Sequence, residues 1–231
     1  MYELVLKMGY DNLKIEKGII LFHDDALIIV DMQNDFMPGG SLPVEEGDQI
    51  IDGINNIAEL FTKNNASIIL TQDWHPKEHL SFASNHPGMR PGDEYQTGAI
   101  GPVLWPDHCV QNTHGSEFHE DLKKENAHAI IRKGYHPEID SYSGFIENDK
   151  KSETGLAGFL KSLNIKRIFV CGLALDYCCF ATAMDGVDFG FQVYFIVDLT
   201  KGIDLPTGNI SNALESMENK GITFVMKESF A

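Results

Sequence analysis

Basic residues are scarce in this chain. Eighteen Lys and Arg stand against 34 Asp and Glu, a formal net charge of −16. That balance repels phosphate backbones and anionic membrane surfaces, and no basic cluster overrides it, so neither nucleic acid nor a membrane is an expected partner. Long apolar runs are missing too. Stretches such as Ala26–Val30 and Ser67–Leu70 fall far short of the ~20 residues that a membrane helix needs. Cysteine is sparse: Cys109, Cys171, Cys178 and Cys179, with no C-x-x-C pair among them. A disulfide framework or a structural zinc knuckle is therefore not expected. The opening residues lack the basic, apolar and small-residue order of an export signal, so a cytoplasmic protein with free thiols is the expectation. Also absent are G-x-G-x-x-G, G-x-x-x-x-G-K-[ST] and G-x-S-x-G, which sets back dinucleotide oxidoreductases, P-loop enzymes and serine α/β-hydrolases.

What is present is enough for one packed domain. The chain has 231 residues and an apolar share of 43%, within the range of a single α/β domain with a proper core. Residues 1–25 read as an extension of uncertain structure, and 26–231 as one domain. Beyond residue 25, strands and helices alternate. Ala26–Val30 is solidly apolar, as a strand covered on both faces should be. Residues 44–63 read as an amphipathic helix with Glu45, Glu46 and Asp48 near its N-terminal end. Further strands are expected over 67–70, 128–131, 168–171, 192–197 and 222–226. A short helix falls behind a Ser152 N-cap, another runs over 178–187, and a third carries Ile210, Ala213, Leu214 and Met217. The sum is an α/β fold, doubly wound, with a mainly six-stranded parallel sheet and helices on both faces. Residues 74–125, rich in Pro, Gly, His and Asn, form a loop long enough to be functional.

In open parallel sheets ligands gather beyond the carboxyl ends of the strands. Asp31 follows the first strand, Asp73 and His75 the second, Lys133 the third, and the turn leading to Cys178 the fourth. Cys178 at a helix N-terminus has amides and a dipole that favour a thiolate or an oxyanion. A one-residue helical step rotates a side chain by about 100°, so only one of Cys178 and Cys179 can face such a site. Asp31 is a candidate proton acceptor, Asp35 a turn former, and Lys133 a nearby positive charge. Asp73 and His75, two apart in extended chain, can meet one cation. A third ligand would come from His79, His86, His108, His114 or His119, and the O and N donors suit zinc, iron(II) or manganese(II) alike. Phe36 and Trp105 could stack a flat ring. Taken singly, each of these residues is as readily structural; their convergence is the signal.

Four runs carry a resemblance: Ile29-Val-Asp-Met-Gln-Asn-Asp-Phe36, Thr71-Gln-Asp-Trp-His-Pro76, Trp105-Pro-Asp-His-Cys-Val110 and Gly172-Leu-Ala-Leu-Asp-Tyr-Cys178. In this order they are similar to the nicotinamidases (pyrazinamidases) of the isochorismatase-like hydrolase superfamily, a Rossmann-like three-layer sandwich. The resemblance runs from about residue 26 to the C-terminus. It implies a catalytic triad of Asp31, Lys133 and Cys178, and metal ligands at Asp73, His75 and His108. It also implies a cis peptide at Leu173–Ala174, an oxyanion hole from the amides of Ala174 and Cys178, and ring contacts from Phe36 and Trp105. The expected metal is one divalent transition ion, zinc ahead of iron or manganese. The implied reaction is hydrolysis of nicotinamide, or pyrazinamide, to the acid and ammonia through a cysteine thioester, in NAD salvage. Tyr177 departs from the His that many members carry before the nucleophile. Whether His79 or water completes the metal shell, and whether the protein is a homo-oligomer, stay open. The rival readings are a cysteine amidohydrolase for carbamoyl or ureido substrates and a metal-binding domain without catalysis.

Overall fold

A computed structural model describes residues 13–231. Residues 1–12 of the N-terminal extension lie outside the described residues. The part that is described is tied down: Ile15 bridges Phe224, Ile19 bridges Phe230, and Ile19 and Leu21 are buried.

The chain alternates β1 (Asp25–Val30), α1 (Ile51–Lys63), β2 (Ser67–Asp73), β3 (Ala129–Lys133), α2 (Leu156–Ser162), β4 (Arg167–Leu173), α3 (Phe180–Asp188), β5 (Gln192–Lys201), α4 (Asn209–Asn219) and β6 (Thr223–Val225). The six strands form one sheet in the order β3-β2-β1-β4-β5-β6, every pair parallel. The expected doubly wound α/β fold is what the chain adopts. Period-two alternation explains the layers. Leu27 and Ile29 of β1 point to one face and pack with Ile54 and Phe61 of α1. Ala26, Ile28 and Val30 point to the other, where Leu160 of α2, Ala183 of α3 and Leu214 of α4 cover them. Strand order reverses between β1 and β4, which opens a crevice beyond their carboxyl ends.

The element bounds differ from the sequence expectation where backbone geometry intervenes. The helix expected over 44–63 begins only at Ile51, after a 3-10 turn at Gly47–Ile50. Glu46 has a left-handed φ of 58°, and its carboxylate lies 2.6 Å from Lys201 Nζ, so 44–46 is a strap rather than a helical turn. Ser152 does not cap α2. Gly155 takes that place at φ 96°, and the Ser152 hydroxyl donates to Asp149 instead. The helix expected over 178–187 is a π-helical turn at Leu175–Cys179 that runs into α3. The strand expected over 192–197 continues to Lys201 past a register shift opposite Val170 and Gly172.

Gly172 pairs with Val30 across the β1–β4 seam. Its φ is +114°, and a Cβ there would lie 2.2 Å from the Val30 carbonyl oxygen. Both the conformation and the contact exclude a side chain. Gly172→Ala is therefore expected to cost roughly 2 kcal/mol or more, read as a lower urea midpoint at unchanged m-value.

Candidate active site

β1 delivers Asp31 directly into the crevice. It has a left-handed φ of 45° and is fully buried. Thr71 of β2 fixes one side of it: the Asp31 amide donates to Thr71 Oγ1 (3.2 Å), and that hydroxyl donates to Asp31 Oδ1 (2.6 Å). The other oxygen, Oδ2, has no aligned hydrogen bond but lies 2.9 Å from Lys133 Nζ.

Lys133, the last residue of β3, is also fully buried. Its ammonium touches Asp73 Oδ1, donates to the Ser141 carbonyl at 3.0 Å and reaches Cys178 Sγ at 3.4 Å. Burial opposes its charge, yet the Asp31 and Asp73 carboxylates outweigh that and hold its pKa well above the ordinary lysine value. Burial likewise raises the Cys178 thiol well above its usual range, with Lys133 pulling the other way. Burial raises Asp31 too, against the same lysine. Asp73 is the contrasting case: burial alone would raise it, but Lys133, His75 and His108 hold it well below the carboxylate range. The result is a fixed positive charge between two carboxylates and a thiol, with Asp73 the more firmly ionised acid. Asp31, Asp73 and Cys178 each place one ligand atom within 4.8 Å of the others, but the ammonium already supplies the cation of that triangle.

A second triangle adjoins it. Asp73, His75 and His108, all buried, offer ligand atoms within 4.8 Å of one another. His75 Nδ1 lies 2.8 Å from the Gly134 carbonyl and His108 Nδ1 2.8 Å from the Pro106 carbonyl. A carbonyl can only accept, so each Nδ1 carries a proton and leaves Nε2 for a ligand. Both Nε2 atoms face Asp73 Oδ2, at 3.6 and 4.0 Å. Burial, then the neighbouring His75, push the His108 pKa down to about 4, which keeps that ring a neutral donor. This donor set fits one divalent transition ion. The other candidate histidines are engaged elsewhere. His79 Nδ1 meets Ser81 Oγ at 2.7 Å and its Nε2 the Ile139 carbonyl at 3.1 Å, so neither ring nitrogen is turned to the cluster. His86 bonds the Leu80 carbonyl, His114 is exposed beside Glu117, and His119 pairs with Asp121.

The two triangles open on one cavity, whose walls include Phe36, Trp105, Tyr142, Tyr177 and Ile203. Cys178 lines it and Cys179 does not. The Leu173–Ala174 peptide is cis, and the Ala174 carbonyl accepts the Cys179 amide at 3.0 Å, which turns the segment into α3. Trp105 Nε1 donates to Tyr142 Oη at 3.2 Å, and the Tyr177 hydroxyl donates to the Leu205 carbonyl. The cavity is a partly open cleft with about 30 Å³ of water-accessible volume. Several residues of the site carried no distinct signal in the sequence. Thr71, Ser141 and Gln33 act through ordinary polar atoms, and only their burial (0%, 1% and 0% exposed) marks them. Buried Asp140, also on the cavity wall, is another.

Fold and site together define a doubly wound α/β protein with an acid–ammonium–thiol cluster and an O,N-donor triangle at its switch point. The isochorismatase domain model matches residues 25–229, and the chain belongs to that family. It is 46% identical to a nicotinamidase of Acinetobacter baylyi over 85% of this chain and 90% of that one. A nicotinamidase/pyrazinamidase structure from Acinetobacter baumanii superposes with a TM-score of 0.85 at 45% identity, covering 89% of this chain and 97% of that one. A pyrazinamidase of Pyrococcus horikoshii, solved in complex with zinc, gives 0.73 at 42% identity over 88% and 99%.

Because Lys133 is the only cation touching Asp31, Asp73 and Cys178 among the described residues, its removal leaves buried charge unpaired. Lys133→Met is expected to lower stability by about 3–5 kcal/mol. It should also slow alkylation of Cys178 by iodoacetamide, as the thiol loses the charge that lowers its pKa.

Proposed function

We propose that this protein is a nicotinamidase that hydrolyses nicotinamide, and pyrazinamide, to the acid and ammonia. The observation that carries the reading is the Lys133 ammonium in contact with both Asp31 and Cys178, in a chain whose relatives are nicotinamidases. Asp31, Lys133 and Cys178 are assigned as catalytic residues, with the Asp31 carboxylate as the proton acceptor. Cys178 gives its proton to Asp31 as its sulfur attacks the carboxamide carbon. The carbonyl oxygen, now carrying the negative charge, is held by the backbone amides of Ala174 and Cys178, each worth about 3 kcal/mol in such a hole. Asp31 returns the proton to the departing nitrogen, ammonia leaves, and a thioester on Cys178 remains. Asp31 then takes a proton from water as its oxygen attacks the thioester; the C–S bond breaks, Asp31 returns that proton to the Cys178 sulfur, and the acid leaves, losing its own proton to solvent as nicotinate. Lys133 stays charged throughout and stabilises the thiolate. Phe36 and Trp105 hold the flat ring from the cavity walls.

Asp73, His75 and His108 are assigned as ligands of one divalent transition ion, zinc ahead of iron or manganese; when bound it supplies an electrophilic hold on the ring nitrogen. His79 is assigned no ligand role, since both its ring nitrogens are engaged. The same proposal places the reaction in recovery of pyridine nucleotides. It also assigns the protein to the cytoplasm, where its four free cysteines remain thiols.

Cys178→Ala is expected to abolish ammonia release from nicotinamide, by at least about 10³-fold, with the fold retained; turnover by that variant removes the assignment. A carbamoyl amino acid assayed alongside should release no ammonia. The acid limb of kcat/KM should lie above the ordinary carboxylate range. As pH falls through the raised pKa of Asp31, its carboxylate becomes protonated and no longer accepts the thiol proton. An acid limb at or below pH 4 contradicts that role.

A further inference from the structure

The short turn after Asp31 carries two side chains that act on the donor triangle without belonging to it. Gln33 is fully buried and reads the backbone of Asp73 on both sides. Its Oε1 accepts the Asp73 amide at 2.8 Å, and its Nε2 donates to the Asp73 carbonyl at 2.8 Å and to the Ser116 carbonyl at 2.9 Å. The β1–β2 ladder stops at Ile29 and Leu70, so the end of β2 has lost its β1 neighbour by Asp73. The Gln33 amide takes over as a strand surrogate there, while β3 pairs Asp73 with Lys133 on the opposite edge.

Asp35 acts on the other side of the triangle. Its Oδ2 accepts the Cys109 amide at 2.7 Å, and the Cys109 carbonyl accepts the His75 amide at 3.1 Å. Cys109, with a left-handed φ of 46°, is thus held on both faces of its backbone, and it is the neighbour of His108. A Cβ on Gly115 would lie 2.0 Å from Asp35 Oδ2, so the loop closes directly onto this carboxylate. One carboxylate fixes the backbone step that joins His75 to His108.

We propose that Gln33 and Asp35 are positioning residues that set the metal affinity of the Asp73–His75–His108 triangle. The inference rests on the reading of that triangle as a metal site. The physical need is specific. Lys133 already binds Asp73 through Oδ1, and only a fixed backbone keeps Oδ2 aimed at the two imidazoles instead of turning fully to the ammonium. A site whose ligands are held before the ion arrives loses less on binding it, and outer partners of this kind are worth about 10–100-fold in affinity.

The test is zinc affinity, measured by competition with a chromophoric chelator on the full chain, alongside the thermal midpoint of the metal-free protein. Gln33→Met keeps the size of the side chain and removes all three hydrogen bonds. Asp35→Asn keeps the shape and replaces one acceptor with a donor. Each is expected to weaken zinc binding by about 10–100-fold, with ammonia release recovering in excess zinc. Phe61→Leu, on the core-facing side of α1, serves as a comparison expected to lose stability only. The two variants act on different ligands, so either one that folds decides the matter. Wild-type zinc affinity in a folded variant, or an equal loss in Phe61→Leu, overturns the proposal. Wild-type protein that takes up no zinc overturns it together with the metal reading, a distinct result from wild type and variants binding alike.

Discussion

One buried ammonium organises this molecule's functional edge. Lys133 meets Asp31, Asp73, the Ser141 carbonyl and the Cys178 sulfur within a single coordination sphere. Desolvating a lysine costs several kcal/mol unless partners replace its water. Two carboxylates and a carbonyl do so here, which is why the charge persists in a fully buried side chain. The same contacts fix where four strands may end relative to one another. Asp31 closes β1, Asp73 closes β2, Lys133 closes β3, and Cys178 follows β4 by one turn. Slip any of these strands by one residue and the side chain presented at this edge would change to one that points to the other face.

The two acids around Lys133 are made unequal by their other neighbours. Asp73 has two imidazoles beside it and is held well below the carboxylate range. Asp31 has only a threonine hydroxyl besides the shared lysine, and burial leaves its pKa raised. Two carboxylates in one pocket acquire separate roles when their environments push their pKa values apart. Both acids lie within 4.8 Å of the thiol, but only Asp73, the more firmly ionised one, also faces the two imidazoles. That division suits a thiol hydrolase in which one carboxylate shuttles a proton and the other holds a cation.

Much of this was legible in the sequence because the relevant signals are local. Solid apolar runs marked β1, β2 and β4, and the polar residues immediately after them marked the edge where chemistry gathers. What was illegible depends on backbone conformation or on polar atoms that every residue has. The late start of α1 follows from the left-handed Glu46 and its tie to Lys201; an amphipathic pattern continues through such a break unchanged. The extension of β5 to Lys201 passes through Asp198 and ends on Lys201, which do not look like strand residues. The choice of His108 from five histidines in the loop came from the family resemblance. The structure gives the physical counterpart: His79, His86, His114 and His119 each have a nearer partner. Gln33 stood in the first quoted run, but no property of a glutamine reveals that it will pair with a strand forty residues away.

Charge balance gives the donor triangle its physical reason. At the crevice, Asp31 and Asp73 share the one ammonium of Lys133, and a third buried carboxyl group, Asp140, stands on the cavity wall. An uncompensated buried charge is costly, so the cluster favours a second cation at the open face of Asp73. Burial pushes His75 toward neutrality, yet Asp73 outweighs it and leaves the ring's pKa above the ordinary value. His108, one ring farther from balance, is driven down to about 4 and stays neutral. A proton on His75 and a divalent ion among Asp73, His75 and His108 are therefore alternative answers to one electrostatic demand. On the proposed metal reading, an ion would meet all three donors at once while each Nδ1 keeps its backbone carbonyl. On the same proposed reading, the clamps from the turn that follows Asp31 would keep a cation placed at Asp73 from drifting toward Asp31.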